Sequence, residues 1–219
     1  DGFLEVQDEG SQLLALISGA KRGEVVVDFC AGAGGKTLAL AAMMNNTGRL
    51  YAMDVSEKRL ANIKPRIARA GVGNITPQRL DHERDLRLKK LWNKADRVLV
   101  DAPCSGLGTL RRNPDLKYRQ SNDSIDELVT LQTRILDSAA HLVKRGGYLV
   151  YATCSILAEE NQKQVEHFLS SHPDFQLVNC SDLLKSNKIE LDTGEFLQLN
   201  PATHHTDGFF AAVMQKSSS

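Results

Sequence analysis

The sequence runs to 219 residues, of which 42% are apolar, enough for one large α/β domain with a proper core. Its 27 Lys and Arg balance 27 Asp and Glu, which argues against a module gripping nucleic acid by bulk charge but leaves room for local basic patches, Arg87 to Lys94 or Arg111 to Arg119. No stretch is long and apolar enough to span a membrane, and the acidic opening DGFLEVQDEG lacks the apolar core of a secretory signal, so a cytoplasmic setting is expected.

Ser11 to Ala20 sets Leu13, Leu14, Leu16 and Ile17 on one helical face, so residues 1–20 read as a helical lead-in. Val25 to Asp28 is an apolar run ending in a glycine-rich turn, as a buried parallel strand does. A helix from Lys36 to Met44, a strand from Arg49 to Met53 closed by Asp54, and a helix from Ser56 to Ala70 follow. Ile75 to Leu80 is a weaker strand, and Arg97 to Val100 a clear one. A long helix is predicted from Ile125 to Val143, stopped by Gly146 and Gly147, before the strand Tyr148 to Tyr151. Glu159 to Ser170 is helical, the following stretch is less regular, and Gly208 to Met214 is a closing strand. Strands alternating with helices predict a doubly wound, mostly parallel sheet.

In such sheets ligands sit beyond the carboxyl ends of the strands. Asp28-Phe-Cys-Ala-Gly-Ala-Gly-Gly-Lys-Thr37 lies at such an end, where Gly32, Gly34 and Gly35 let the backbone turn sharply and approach a ligand. It is not a phosphate loop, because that spacing needs a glycine where Cys30 stands. The carboxylate of Asp28 favours a cofactor with a cationic amino-acid tail over a pyrophosphate, which it would repel. Asp54 closes the next strand, where an acid can bind ribose hydroxyls.

The four cysteines, Cys30, Cys104, Cys154 and Cys180, include no Cys-x-x-Cys pair, so free thiols are expected and no metal site. Two of them end consecutive strands, in Asp101-Ala-Pro-Cys-Ser-Gly106 and Ala152-Thr-Cys-Ser155. Neighbouring strands lie ~4.8 Å apart, so both thiols can reach one flat substrate. Cys180 reads as structural, and Cys30 as contributing backbone rather than sulfur.

Together, the glycine turn and the two cysteine motifs resemble the Sun/Fmu (NOP2/Sun) family of RNA cytosine-5 methyltransferases. Val6-Gln-Asp-Glu-Gly-Ser-Gln12 and Thr206-Asp-Gly-Phe-Phe-Ala211 are similar to the family's segments before the turn and at the closing strand, so the resemblance spans nearly the whole chain. It implies a single catalytic domain over 1–219 on a seven-stranded, Rossmann-like methyltransferase sheet. It also implies S-adenosylmethionine as cofactor, held by Cys30, Ala31, Gly32, Ala33, Gly34, Gly35, Lys36, Asp54, Asp81 and Asp101. Cys154 would be the nucleophile that adds to carbon 6 of cytosine, and Cys104 would help release the product. Asp101 is the acid placed to assist at ring nitrogen 3. The implied partner is RNA with an accessible cytosine, ribosomal in preference to transfer RNA, with Arg111, Arg112 and Lys117 as candidate phosphate contacts and a monomeric enzyme.

One departure stands out: the family turn reads Cys-Ala-Ala-Pro-Gly-Gly-Lys, and Gly32-Ala33 replaces Ala-Pro here, which loosens the turn. Family members also carry an N-terminal RNA-binding extension; the chain opens without methionine and without such a segment, so an upstream part is expected to be missing. Two alternatives remain open. DNA cytosine-5 methyltransferases use the cysteine of the Pro-Cys turn, which would make Cys104 the nucleophile. A non-catalytic RNA-binding assembly factor on the same fold has no need of two thiols, so intact Asp101, Cys104 and Cys154 argue against it.

Overall fold

The apolar runs pair into one sheet in the computed structural model, which describes residue 2 and residues 4–218. Its strands are β1 (Val25–Asp28), β2 (Arg49–Asp54), β3 (Ile75–Arg79), β4 (Ala95–Asp101), β5 (Val143–Thr153), β6 (Phe175–Val178), β7 (Leu197–Leu199) and β8 (Phe209–Lys216). The order is β3-β2-β1-β4-β5-β8-β6, and β7, which pairs with β8 beside this path, makes the sheet eight-stranded where seven strands were expected. β1 to β5 run parallel, whereas β8 is antiparallel to β5, β6 and β7. The chain moves outward from β1 through β2 to β3, then crosses back to β4 on the other side of β1. A crevice therefore opens beyond the ends of β1 and β4.

Successive strand residues face opposite sides, so one strand feeds two cores. Val26 packs with Leu14 and Ile17 of α1 (Glu9–Ile17), Leu40 of α2 (Gly35–Met43) and Leu184 of a C-terminal helix. Its neighbour Val27 packs on the other face, with Leu136 and Ala139 of the helix before β5 and Phe168 of the helix after it. Both cores reach the central strands, which explains why β1, β4 and β5 read as unbroken apolar runs.

Three expectations change. The helix predicted from Ser56 to Ala70 is two, α3 (Glu57–Ala61) and α4 (Ile63–Ala70). Pro65 has no N–H to offer the carbonyl of Ala61, and its ring crowds that carbonyl, so the first helix ends there. After the short α5 (Leu116–Arg119), the long helix α6 (Asn122–Ala140) starts at a Ser121/Ser124 capping box and ends before the predicted Val143. Gly146 and Gly147 do not stop it; they lie inside β5, where the register jumps from Ala95–Val143 to Arg97–Tyr148. Gly146 has φ 71°, and a Cβ on Gly147 would meet three carbonyl oxygens at 3.0 Å, so the bulge requires both glycines. The stretch read as irregular before the closing strand contains, after α7 (Gln162–Ser171), β6, α8 (Cys180–Ser186), β7 and α9 (Pro201–His204). Among the described residues no helix is long and apolar enough to cross a membrane.

Candidate active site

The glycine turn links β1 to α2, and backbone bonds stitch it to both neighbours of β1. The N–H of Phe29 donates to Leu99 O at 2.8 Å, and that of Ala31 to Met53 O at 2.8 Å. Gly32 and Gly34 have φ 56° and 87°, angles that cost glycine nothing. A Cβ on Gly34 would lie 2.9 Å from Ile63, whereas Gly32 has open space around it. Asp54, buried at the end of β2, accepts from Gly32 N at 2.9 Å and from Ser56 N at 2.7 Å.

A cavity of about 650 Å3 runs from this turn to the ends of β4 and β5, lined by Asp28, Asp54, Asp101, Cys104 and Cys154 among others. Asp28 is fully buried; its Oδ2 accepts from Thr37 Oγ1 at 2.7 Å, while Oδ1 has no partner among the described residues. Burial raises the Asp28 carboxyl to about 7; Thr37 and Lys36 oppose the rise, and the charges of Asp101 and Asp54 add to it. Lys36, in the first turn of α2, donates to Asp101 at 2.7 Å, so an ion pair spans the cavity floor.

Parallel pairing of β4 and β5 sets Asp101 opposite Ala152, and the turns that follow bring the Sγ atoms of Cys104 and Cys154 to 3.5 Å. The two thiols are driven apart in acidity. The hydrogen bond from Cys104 lowers Cys154, with Lys36 helping, against burial and the charge of Asp101. Cys104 is pushed well up by that same bond, by burial and by the neighbouring thiol's charge. The directions of these shifts favour Cys154 as the more acidic thiol of the pair. Cys30 rises through burial and the charges of Asp101, Asp28 and Asp54, so its sulfur stays protonated. Cys180 is buried in the core and pushed up to about 11 by burial.

Most of the expected residues converge here: Cys30, Ala31, Gly32, Ala33, Gly35, Lys36, Asp54, Asp101, Cys104 and Cys154 all line the cavity, and Gly34 starts α2 behind it. Asp81 does not. Its side chain is 65% exposed and pairs with Arg79 at 3.7 Å and Arg87 at 2.9 Å. Its N–H donates to Asp85, and Glu83 lines the cavity instead, bonded to Arg134 at 3.0 Å. Arg111 and Arg112 are also otherwise engaged: both pair with the buried Asp207, fastening the segment after Cys104 to the start of β8. Lys117 lies 4.8 Å over the ring of Tyr118. Sequence reading missed Glu83, Arg66, and Leu131 and Ile135 of α6. Only the apolar face of α6 signalled any of them.

Residues 15–215 match the family described as 16S rRNA methyltransferase RsmB/F. A probable ribosomal RNA small subunit methyltransferase B from Synechocystis sp. is 38% identical over 220 residues, covering 99% of this chain and 48% of that protein. A probable ribosomal RNA small subunit methyltransferase B from Bacillus subtilis is 36% identical over 221 residues, with coverages of 99% and 48%. The chain thus spans about half the length of these curated relatives. Among solved structures, NSun6 from Pyrococcus horikoshii with SFG superposes at a TM-score of 0.86, with 30% identity, over 100% of this chain and 54% of that one.

Proposed function

Because the chain belongs to the RsmB/F family of 16S rRNA methyltransferases, we propose that it transfers a methyl group from S-adenosylmethionine to carbon 5 of a cytosine in small-subunit ribosomal RNA. The observation that carries this reading is the thiol pair: two sulfurs 3.5 Å apart at one end of a cavity, with Cys154 the one biased to ionise.

The cavity fits the cofactor. The unpartnered Oδ1 of Asp28 suits an ammonium, the glycine turn admits close backbone approach, and Asp54 suits ribose hydroxyls. With Asp81 turned away, Glu83 and Leu80 are the residues beyond β3 that would flank the adenine. When bound, the cofactor supplies an electrophilic methyl group.

An unpaired or flipped cytosine exposes carbon 6 to Cys154. Cys154 gives up its proton, which Asp101 takes, and the sulfur forms a bond to carbon 6. The electron pair of the ring double bond moves toward nitrogen 3, which receives that proton from Asp101. Carbon 5 becomes nucleophilic and takes the methyl group. Asp101 then takes back the proton of nitrogen 3, and water serves as the base that removes the proton from carbon 5. The electrons of that carbon–hydrogen bond restore the ring double bond, and the sulfur–carbon bond breaks with Cys154 leaving as thiolate. Cys104, kept as a thiol, is the nearest proton donor to that departing sulfur. Asp101 stays in place through Lys36.

The test is a trap. Fluorine at carbon 5 cannot leave as a proton does, so small-subunit RNA carrying 5-fluorocytosine stalls after methyl transfer with the RNA still bonded to sulfur. Denaturing electrophoresis of the full chain with this RNA and cofactor should show an adduct, mapped by mass spectrometry to Cys154. Methylation of natural RNA with no adduct, or at another atom, would overturn the reading.

Asp28 adds a pH dependence. Its folded value of about 7 lies above the ordinary 3.8, so the protonated form is favoured in the empty protein. The corresponding contribution to stability is complete at low pH and is lost as pH rises through about 7. An ammonium at Oδ1 reverses the preference and expels the proton. Cofactor binding at pH 7 should therefore release about half a proton, and affinity should weaken up to about tenfold per unit at lower pH. Calorimetry in buffers of different ionisation enthalpy measures both, and Asp28→Asn should abolish the release.

A further inference from the structure

We infer that Glu160 is a positioning residue, a buried carboxylate that clamps the Cys104 turn to the Cys154 turn and so holds the two sulfurs together. Each catalytic cysteine is followed by a serine, and both serines bond to this one side chain. Ser105 donates its N–H to Oε1 at 2.8 Å and its hydroxyl to Oε2 at 2.5 Å, and the Ser155 hydroxyl donates to the same Oε2. The two hydroxyl oxygens lie 3.1 Å apart. Gln132 of α6 completes the set, donating to Oε1 at 3.0 Å and to Pro103 O at 3.0 Å.

Glu160 is fully buried, and no Lys or Arg among the described residues pairs with it. A buried charge without a counterion is costly unless hydrogen bonds surround it, and here four donors converge on it. A neutral residue would avoid that cost, so what the carboxylate contributes is geometry: an acceptor-only group can receive from both turns at once. The next residue repeats the grip on the second turn, since Asn161 Nδ2 donates to Ser155 O at 3.0 Å and Thr153 donates to Asn161 Oδ1 at 2.5 Å. The same carboxylate is among the groups that raise Cys104.

Glu160→Gln keeps the shape but turns an amide N–H₂ toward groups that donate. In the full chain, the rate at which diamide closes a Cys104–Cys154 disulfide reads how often the sulfurs meet. That rate should fall about tenfold or more at a temperature where variant and wild type are equally folded. The maximal rate of methyl transfer should fall with it while the KM for RNA holds. Only this second effect rests on the function proposed above; disulfide closure needs neither RNA nor cofactor, so the two ideas fail separately. Wild-type closure in a folded Glu160→Gln protein would overturn the clamp. If that variant does not fold, Ser155→Ala decides: it removes one donor, slowed closure supports the clamp, and an unchanged rate overturns it.

Discussion

Cys154→Ser should lower the rate of methyl transfer by about 10⁴-fold or more while leaving S-adenosylmethionine binding as in the wild type. A serine hydroxyl in this position has no comparable fraction of anion at neutral pH, and nothing nearby is positioned to generate one. Cys104 does not substitute for it despite lying 3.5 Å away, because its burial still holds it as a thiol when the neighbouring sulfur is gone. Cys104 variants should separate according to what remains at that position. Cys104→Ser still has a hydroxyl to hydrogen-bond to Cys154, so addition proceeds, but a hydroxyl is a far weaker acid than a thiol, so the step that suffers is release, with protein–RNA adduct accumulating on natural RNA. Cys104→Ala removes the donor that most lowers Cys154, so addition itself slows and the pH–rate profile moves to higher pH. Single-turnover kinetics with gel detection of the adduct distinguishes these. An adduct that survives Cys154→Ser and disappears in Cys104→Ser would exchange the roles.

How much of this was legible beforehand follows from where each signal is generated. β1, β4 and β5 are flanked on both faces by helices, so each reads as an unbroken apolar run. Their turns carry the glycines and cysteines, so the site's central residues were readable. What the sequence does not report depends on side-chain direction or on distant partners. That Glu83 lines the cavity while Asp81, whose N–H bonds to Asp85, pairs with Arg87 outside it is something no periodicity reports. Arg111 and Arg112 look like free cations until Asp207, far along the chain, folds back onto them. Glu160 stands where an acid at a helix start is unremarkable, and only the convergence of Ser105, Ser155 and Gln132 gives it a role. Gly146 and Gly147 were misread because a helix stop and a strand bulge draw on the same conformational freedom.

Asp101→Asn should act on the two halves of the chemistry in opposite directions. Asparagine can still accept from Lys36 but cannot carry the proton that nitrogen 3 requires, so methyl transfer at saturating RNA and cofactor should fall about 10²- to 10⁴-fold. The same substitution removes a negative charge that raises Cys154, so the thiol should ionise at lower pH than in the wild type. Iodoacetamide alkylation of Cys154 followed across pH reads that shift directly, without RNA. A protein whose nucleophile is more ionised yet whose catalysis is far slower has lost its proton carrier rather than its thiolate. Lys36 provides the control, because its charge lowers Cys154 and its bond orients Asp101. Lys36→Met should therefore slow methyl transfer and move alkylation to higher pH, the reverse of the shift in the asparagine variant. Methyl transfer by Asp101→Asn within a few-fold of the wild type would mean that nitrogen 3 finds its proton elsewhere, and the carboxylate at the end of β4 would then be a holder for Lys36 alone.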